Sequence, residues 1–312
     1  MFLSAYTLSY GNWTVIPSHW DRMFGEMREI GFDAIDLSFS ESEEMYAMRT
    51  IEQQIAMAHK HGLKVLIVPS RYAGRFAGAP FMPGWLNIAH PEWNIPGNNN
   101  CACVDVPEVV EATKGFFRKI VTTFDCDGIV IDEPKSPDQP SSHPATIARY
   151  GRSGTAADAI NSTLEYIQAL IDEVKSLRPE LSITIFNMPQ ITPEFTAKAA
   201  GLRGVDYAGF DGTLCSHSYF HGDLFRSKPS ILELWPRTQS EAAGKCGTFT
   251  LIENMLIPSE QNSTYERELN ETLPQIAPDH LACYWYAHNN EDAEYIQKIT
   301  NEALKKYIIP NK

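Results

Sequence analysis

The sequence predicts an α/β fold, a (β/α)8 barrel of one catalytic domain spanning residues 1–312, with long loops after the third and fourth strands. Three observations predict it. Eight short apolar runs alternate with longer segments of helical spacing, the order that builds parallel strands joined by crossover helices. The runs lack polar alternation, as strands buried on both faces do. Several of them stop at acidic or amide residues, and the C-terminal ends of barrel strands are where such enzymes keep their chemistry. An open doubly wound sheet is the competing architecture, but no G-x-G-x-x-G phosphate loop follows the first strand.

Phe2 to Leu8 reads as the first strand. A helix follows over His19 to Ile30, with Trp20, Met23, Phe24, Met27 and Ile30 at helical spacing and Gly31 to close it. Ala34 to Phe39 is the second strand, Glu43 to His61 the second helix stopped by Gly62, and Leu63 to Val68 the third strand. Gly74 to Asp105 is a long excursion rich in Gly, Pro, Asn and aromatic residues, including Phe76, Phe81, Trp85 and Trp93. An irregular stretch of that length inside a compact fold is uncommon and usually functional. Pro107 opens a third helix running to Phe124, as helix entry favours proline. The fourth strand, Asp127 to Glu133, leads into a second insert over Ser136 to Gly154 and a long helix from Thr155 to Leu177. Leu181 to Phe186, Asp206 to Phe210, Thr248 to Ile252 and Leu281 to Tyr286 complete the strands. The intervening helices are Thr192 to Ala200, Ile231 to Lys245, Ser259 to Ile276 and Glu291 to Tyr307.

The chain is 43% hydrophobic and 21% charged, enough to fill a core. Its formal charge of -13 argues against nucleic acid or an anionic membrane as the main partner, since both require basic patches. No apolar run approaches the roughly 18 residues of a membrane span, and no N-terminal segment reads as a signal peptide. Six cysteines are scattered along the chain, with one C-x-C pair at Cys101 and Cys103 and no second pair beside it, which argues against zinc. Reduced thiols in a cytoplasmic protein are the expectation; a secreted mature form and a homo-oligomer both stay open.

The strand ends define the expected site. Ile129, Val130 and Ile131 run directly into Asp132, Glu133, Pro134 and Lys135, so the fourth strand delivers two carboxylates to the barrel mouth. Glu253 and Asn254 end the seventh strand. Opposed strands can bring carboxyls within about 5 Å, the spacing at which a retaining glycosidase pairs an acid with a nucleophile. Asp36, Arg71, Tyr72, Asn187, Asp211, Trp285 and His288 stand at the other strand ends as candidate substrate contacts. Trp85 and Trp93, in the long excursion, suit stacking on the apolar face of a sugar ring; the alternative is that they anchor the loop to the barrel.

These residues carry a resemblance. Asp132-Glu133-Pro134 resembles the Asn-Glu-Pro of glycoside hydrolase clan A at the fourth strand, and Thr250-Leu-Ile-Glu253-Asn254 resembles that clan's seventh-strand segment. The chain also resembles uncharacterised glycosyl hydrolases of barrel fold around Cys101 to Glu108 and Phe124 to Asp132. The resemblance implies a retaining glycoside hydrolase acting on carbohydrate without a cofactor or metal. Glu133 is then the general acid/base, Glu253 the nucleophile, and Trp285 the floor of a sugar subsite. Asp132 departs from the pattern, because an ionised Asp can only accept a hydrogen bond where the clan's Asn donates one. Asp-Gly-x-x-x-Asp at this strand also resembles α-glycosidase and fucosidase-like barrels, in which Asp132 would itself attack. Two rival functions remain open. Ile30-Gly-Phe-Asp-Ala-Ile-Asp36-Leu and His61-Gly-Leu-Lys-Val resemble the xylose-isomerase-like barrels, metal-dependent isomerases and epimerases, with Asp36, Asp211, Glu253 and His288 as ligands. A non-catalytic barrel that binds carbohydrate through Trp85, Trp93 and Trp285 is the other.

Overall fold

A computed structural model describes residues 1–7, 16–77, 84–212, 214, 229–284 and 290–312. Eight parallel strands close into a barrel: β1 (Phe2–Thr7), β2 (Ala34–Ser40), β3 (Lys64–Ser70), β6 (Gly128–Asp132), β7 (Ser182–Asn187), β8 (Tyr207–Gly212), β9 (Gly247–Ile252) and β10 (His280–Tyr284). Each pairs with its neighbours in chain order, and β10 returns to β1, with Phe2 opposite His280 and Tyr6 opposite Tyr284. Between β3 and β6 the chain forms a small antiparallel ribbon of β4 (Asn94–Ile95) and β5 (Asn98–Ala102), where the sequence suggested only an irregular excursion.

Period-two alternation sorts the strand side chains into two cores. In β6, Ile129 and Ile131 face the helices while Val130 faces the barrel axis. The same division puts Val65 and Ile67 outside and Leu66 and Val68 inside. Tyr6, Phe186, Phe249, Leu251, Ala282 and Tyr284 fill the rest of the interior. Backbones crowd at one inner position: a Cβ on Gly209 would lie 1.9 Å from the Phe249 carbonyl oxygen, so only glycine fits there.

The helices form the outer ring. α1 (Pro17–Ile30) buries Trp20, Phe24 and Met27 and ends at Gly31, whose φ of 114° suits glycine. The sequence suggested one helix over Glu43 to His61; the chain instead makes α2 (Glu41–Tyr46) and α3 (Met48–Lys60), parted at Ala47 with φ −135°. Ser40 and Glu43 cap α2 reciprocally, so it starts directly at the end of β2, while α3 packs on β3 and α1. After α4 (Trp85–Ala89), α5 (Pro107–Thr123) and α6 (Pro144–Tyr150) comes the long α7 (Ala156–Leu177), which opens with a Thr155–Asp158 capping box and packs on α5. α8 (Pro193–Ala199), α9 (Ile231–Ala242), α10 (Asn262–Thr272) and α11 (Ala293–Tyr307) complete the ring. Among the described residues no helix is long and apolar enough to cross a membrane, and Cys101, Cys103, Cys126, Cys246 and Cys283 are free thiols.

Candidate active site at the barrel mouth

Acids project into the C-terminal half of the barrel. Asp132 follows the inward parity of Val130 and is 6% exposed; Asp211, at the end of β8, is 2% exposed and Glu253, just beyond β9, 6%. Tyr6 and Tyr284 stand among them, their rings edge to face with centroids 5.2 Å apart. The Tyr6 hydroxyl donates to Asp132 Oδ2. Burial holds the Tyr284 hydroxyl well above its ordinary value, and the charges of Glu253, Asp132, Glu133 and Asp211 push it the same way. One phenol therefore feels carboxylates from the ends of β6, β8 and β9.

Glu133 departs from the pleat, with a positive φ of 39°. That region costs a non-glycine residue on the order of 1–2 kcal/mol and persists where surrounding structure imposes it. Its amide donates to the Phe186 carbonyl at 3.0 Å, and its carboxylate pairs with the Lys135 ammonium, both side chains about one-seventh exposed. Burial works against that ammonium, but Glu133 outweighs it, helped by Asp132 and Asp211, so Lys135 stays above its ordinary value. Among the described residues the other positive-φ residues that are not glycine are Arg71, Ala73, Ser136 and Leu256, all in loops after β3, β6 and β9. Strain thus gathers at the face where strand ends carry the acids.

Deeper in the barrel lies a second polar group. Asp36, at 0% exposure, accepts from Ser4 Oγ at 2.7 Å, and Ser4 Oγ lies 2.9 Å from His280 Nε2. Thr184 Oγ1 is 3.3 Å from the other ring nitrogen of His280. Burial raises Asp36 to about 7, against the pull of the Ser4 hydrogen bond and with a push from Asp132. Burial alone drives His280 down to about 3, so its imidazole is neutral. Asp36 Oδ1 has no hydrogen-bond partner among the described residues.

Around the rim, Asn254 works as a strand substitute. It donates to the Tyr284 carbonyl at 3.0 Å and accepts the Tyr284 amide at 2.8 Å, tying the end of β9 to β10. Glu253 is anchored through its amide to the Gly212 carbonyl at 3.0 Å. Arg71 opens the loop after β3 with φ 62°. The Tyr72 ring stacks on Phe116 of α5 at 4.2 Å, and burial, with Glu44 and Glu41 beside it, lifts its hydroxyl to about 12. Trp85 begins α4 half exposed, its amide held by Glu41. Trp93 lies flat on His90 at 3.7 Å and packs on the core of the β4–β5 ribbon. These contacts give Tyr72 and Trp93 partners within the protein. Asn187 ends β7 on the parity of Ile183 and Ile185, 2% exposed. Trp285 and His288 lie outside the described residues, and with His288 goes one member of the suggested metal set. Among the described residues no three His, Cys, Asp or Glu side chains gather as a metal site would need.

No family model matches the chain, and no curated protein does. Solved structures do. The beta-galactosidase of the Antarctic haloarchaeon Halorubrum lacusprofundi superposes with a TM-score of 0.69 at 11% identity, over 98% of this chain and 58% of that one. GH5_18 from Streptomyces cattleya, solved in complex with GlcNAc, gives 0.67 at 12% identity, over 98% of this chain and 80% of the other. D-psicose 3-epimerase from Clostridium cellulolyticum H10 gives 0.53 at 11% identity, over 99% of both chains. The likeness is one of fold. The chain spans less than two-thirds of the length of the beta-galactosidases it matches, including the one from Marinomonas ef1.

Sequence reasoning missed three members of this cluster. Tyr6 and Tyr284 read as ordinary strand aromatics; the signal was their register, opposite one another across β1 and β10. Lys135 was visible two residues after Glu133, but only the turn of the backbone brings the two charges together.

Proposed function

We propose that the chain is a retaining glycoside hydrolase whose reaction is carried by Glu133 and Glu253. The observation that supports this reading best is the clustering about Tyr284: both glutamates, from the fourth and seventh strands of the barrel, act on the same buried hydroxyl. Glu253, as carboxylate, attacks the anomeric carbon and forms a glycosyl ester while the glycosidic bond breaks. The departing oxygen takes a proton from the Glu133–Lys135 pair. That proton starts on the Lys135 ammonium and reaches the leaving oxygen through Glu133 as negative charge develops there, which leaves a neutral amine beside the Glu133 carboxylate until the second half restores the proton. In the second half, Glu133 takes a proton from water, the water oxygen attacks the anomeric carbon, and Glu253 is released.

The neighbours have parts to play. The Tyr284 hydroxyl, kept protonated, has one hydrogen to donate and in this reading gives it to Glu253. Asp132 accepts from Tyr6, and a carboxylate has lone pairs enough to accept a sugar hydroxyl as well. That reverses the direction of the hydrogen bond which an Asn would make, and it suits a substrate hydroxyl acting as donor. Arg71, Trp85, Asp211, Trp285 and His288 are the proposed substrate-binding rim. No cofactor is called for.

A panel of nitrophenyl glycosides, with product stereochemistry read by NMR, tests the proposal. Retention is expected. Glu253→Gln is expected to lose at least about 1,000-fold in kcat/KM on every active substrate. Glu133→Gln should lose most on poor leaving groups and least on dinitrophenyl ones, which need no acid. Near-full activity in both variants would reject the assignment. Loss of activity in EDTA, restored by a divalent ion, would move it to a metal-dependent epimerase or isomerase.

A further inference from the structure

Behind the mouth, a buried guanidinium makes no ion pair among the described residues. Arg75, in the loop after β3, is 2% exposed. Its Nη1 donates to Cys101 Sγ at 3.1 Å and its Nη2 to Thr163 Oγ1 at 3.0 Å, both neutral acceptors and the thiol a weak one. Its Nε has no partner, and no carboxylate pairs with the guanidinium among the described residues. A guanidinium cannot shed its proton, so a buried one needs compensation by a counter-charge.

Arg75 lines a cavity of about 20 Å³ between the loops after β3 and β6 and the helices α6 and α7. Ser136 and Gln139 line it too, and Asn98 occupies the Gln139 carbonyl at 2.8 Å, which leaves the amide N–H groups as donors. Asp105 is the acid on the wall. Its carboxylate is already taken by Ser162 and Thr146, each at 2.6 Å, and it shares Arg149, at 3.4 Å, with Glu165, at 2.6 Å. Arg75 is the cation on this wall that makes no ion pair among the described residues, and the wall beside it offers donors.

We propose that this cavity is a binding site for one monatomic anion, chloride in a cell, held by Arg75 with Ser136 and Gln139. A cavity needs roughly 10–15 Å³ to admit one water-sized particle, so this one has room for a single halide. The site also has a mechanical consequence. The Lys135 amide donates to the Arg75 carbonyl at 2.9 Å, so fixing Arg75 fixes the loop that carries Glu133, Lys135 and Ser136. The ion neither enters the barrel mouth nor touches the acids there.

Crystals of the intact protein grown in sodium bromide, with data collected at the bromine absorption edge, test the site without reference to any enzymatic activity. One anomalous peak inside the cavity, against Arg75 Nε, is expected. Melting temperature, followed at constant ionic strength as gluconate is exchanged for chloride, is expected to rise by about 2 °C or more and to saturate. Arg75→Gln should lose both the peak and the rise. If that variant does not fold, Gln139→Leu, which removes a donor and leaves the guanidinium in place, should require several-fold more chloride for the same rise. Bromide peaks only elsewhere, with a water in the cavity, or a melting temperature indifferent to chloride would overturn the proposal.

Discussion

Replacing Asp36 by Asn probes the buried polar group beneath the mouth. Asp36 is fully enclosed, its Oδ2 held by Ser4, and its carboxyl is raised from 3.8 to about 7. A raised carboxyl binds its proton more tightly folded than unfolded. Its contribution to stability is complete below pH 3.8, and falls as pH rises until it is lost above about 7. Between pH 5 and 8 this one group should take away roughly 3 kcal/mol. Asn keeps an oxygen to accept from Ser4 but has no proton to lose. The wild-type and Asp36→Asn proteins should therefore diverge with pH. Near pH 5 their melting temperatures should lie closest, and by pH 8 the variant should have gained on the wild type by about 6 °C, at roughly 2 °C per kcal/mol for a domain of this size. Calorimetry from pH 5 to 8 reads this directly. Two pH curves running parallel would refute the burial argument, whatever their absolute offset.

Other substitutions isolate other parts. Lys135→Met removes the positive partner of Glu133; the limb of the pH–rate profile governed by Glu133 should move to higher pH, and an unmoved profile would remove Lys135 from the proton path. Asn254→Ala deletes both hydrogen bonds to the Tyr284 backbone, leaving a buried amide and carbonyl unmet, at a cost of about 2–4 kcal/mol visible as a lower melting temperature. A change under 0.5 kcal/mol would show that water replaces it. Gly209→Ala puts a methyl 1.9 Å from the Phe249 carbonyl, which forces β8 from β9; soluble expression with a melting temperature near wild type would contradict that packing.

Much of the barrel was legible because its strands are apolar on both faces and its helices carry one buried stripe. Ile129-Val130-Ile131 is the plainest case, since no polar residue interrupts it and two acids end it. The break at Ala47 was not legible, because its neighbours have ordinary helix propensity and the capping of α2 by Ser40 and Glu43 is a matter of geometry at the end of β2. The β4–β5 ribbon was hidden in the same way, its five-residue arm being largely asparagine. At the mouth, sequence picked out the acids by their position after apolar runs. It did not show that Asp36 sits lower in the barrel than Asp132, a difference set by strand stagger, which no single strand encodes. Nor could it separate Tyr72 and Trp93, whose rings have protein partners, from Trp85, which is half exposed.

The most direct test of two carboxyls sharing one glycosidic bond is a covalent trap. A slowly hydrolysed 2-deoxy-2-fluoro glycoside of whichever sugar the panel identifies should leave one label per chain, and mass spectrometry of the digest should place it on Glu253. A label on Asp132, or turnover with inversion and no label, would contradict the account.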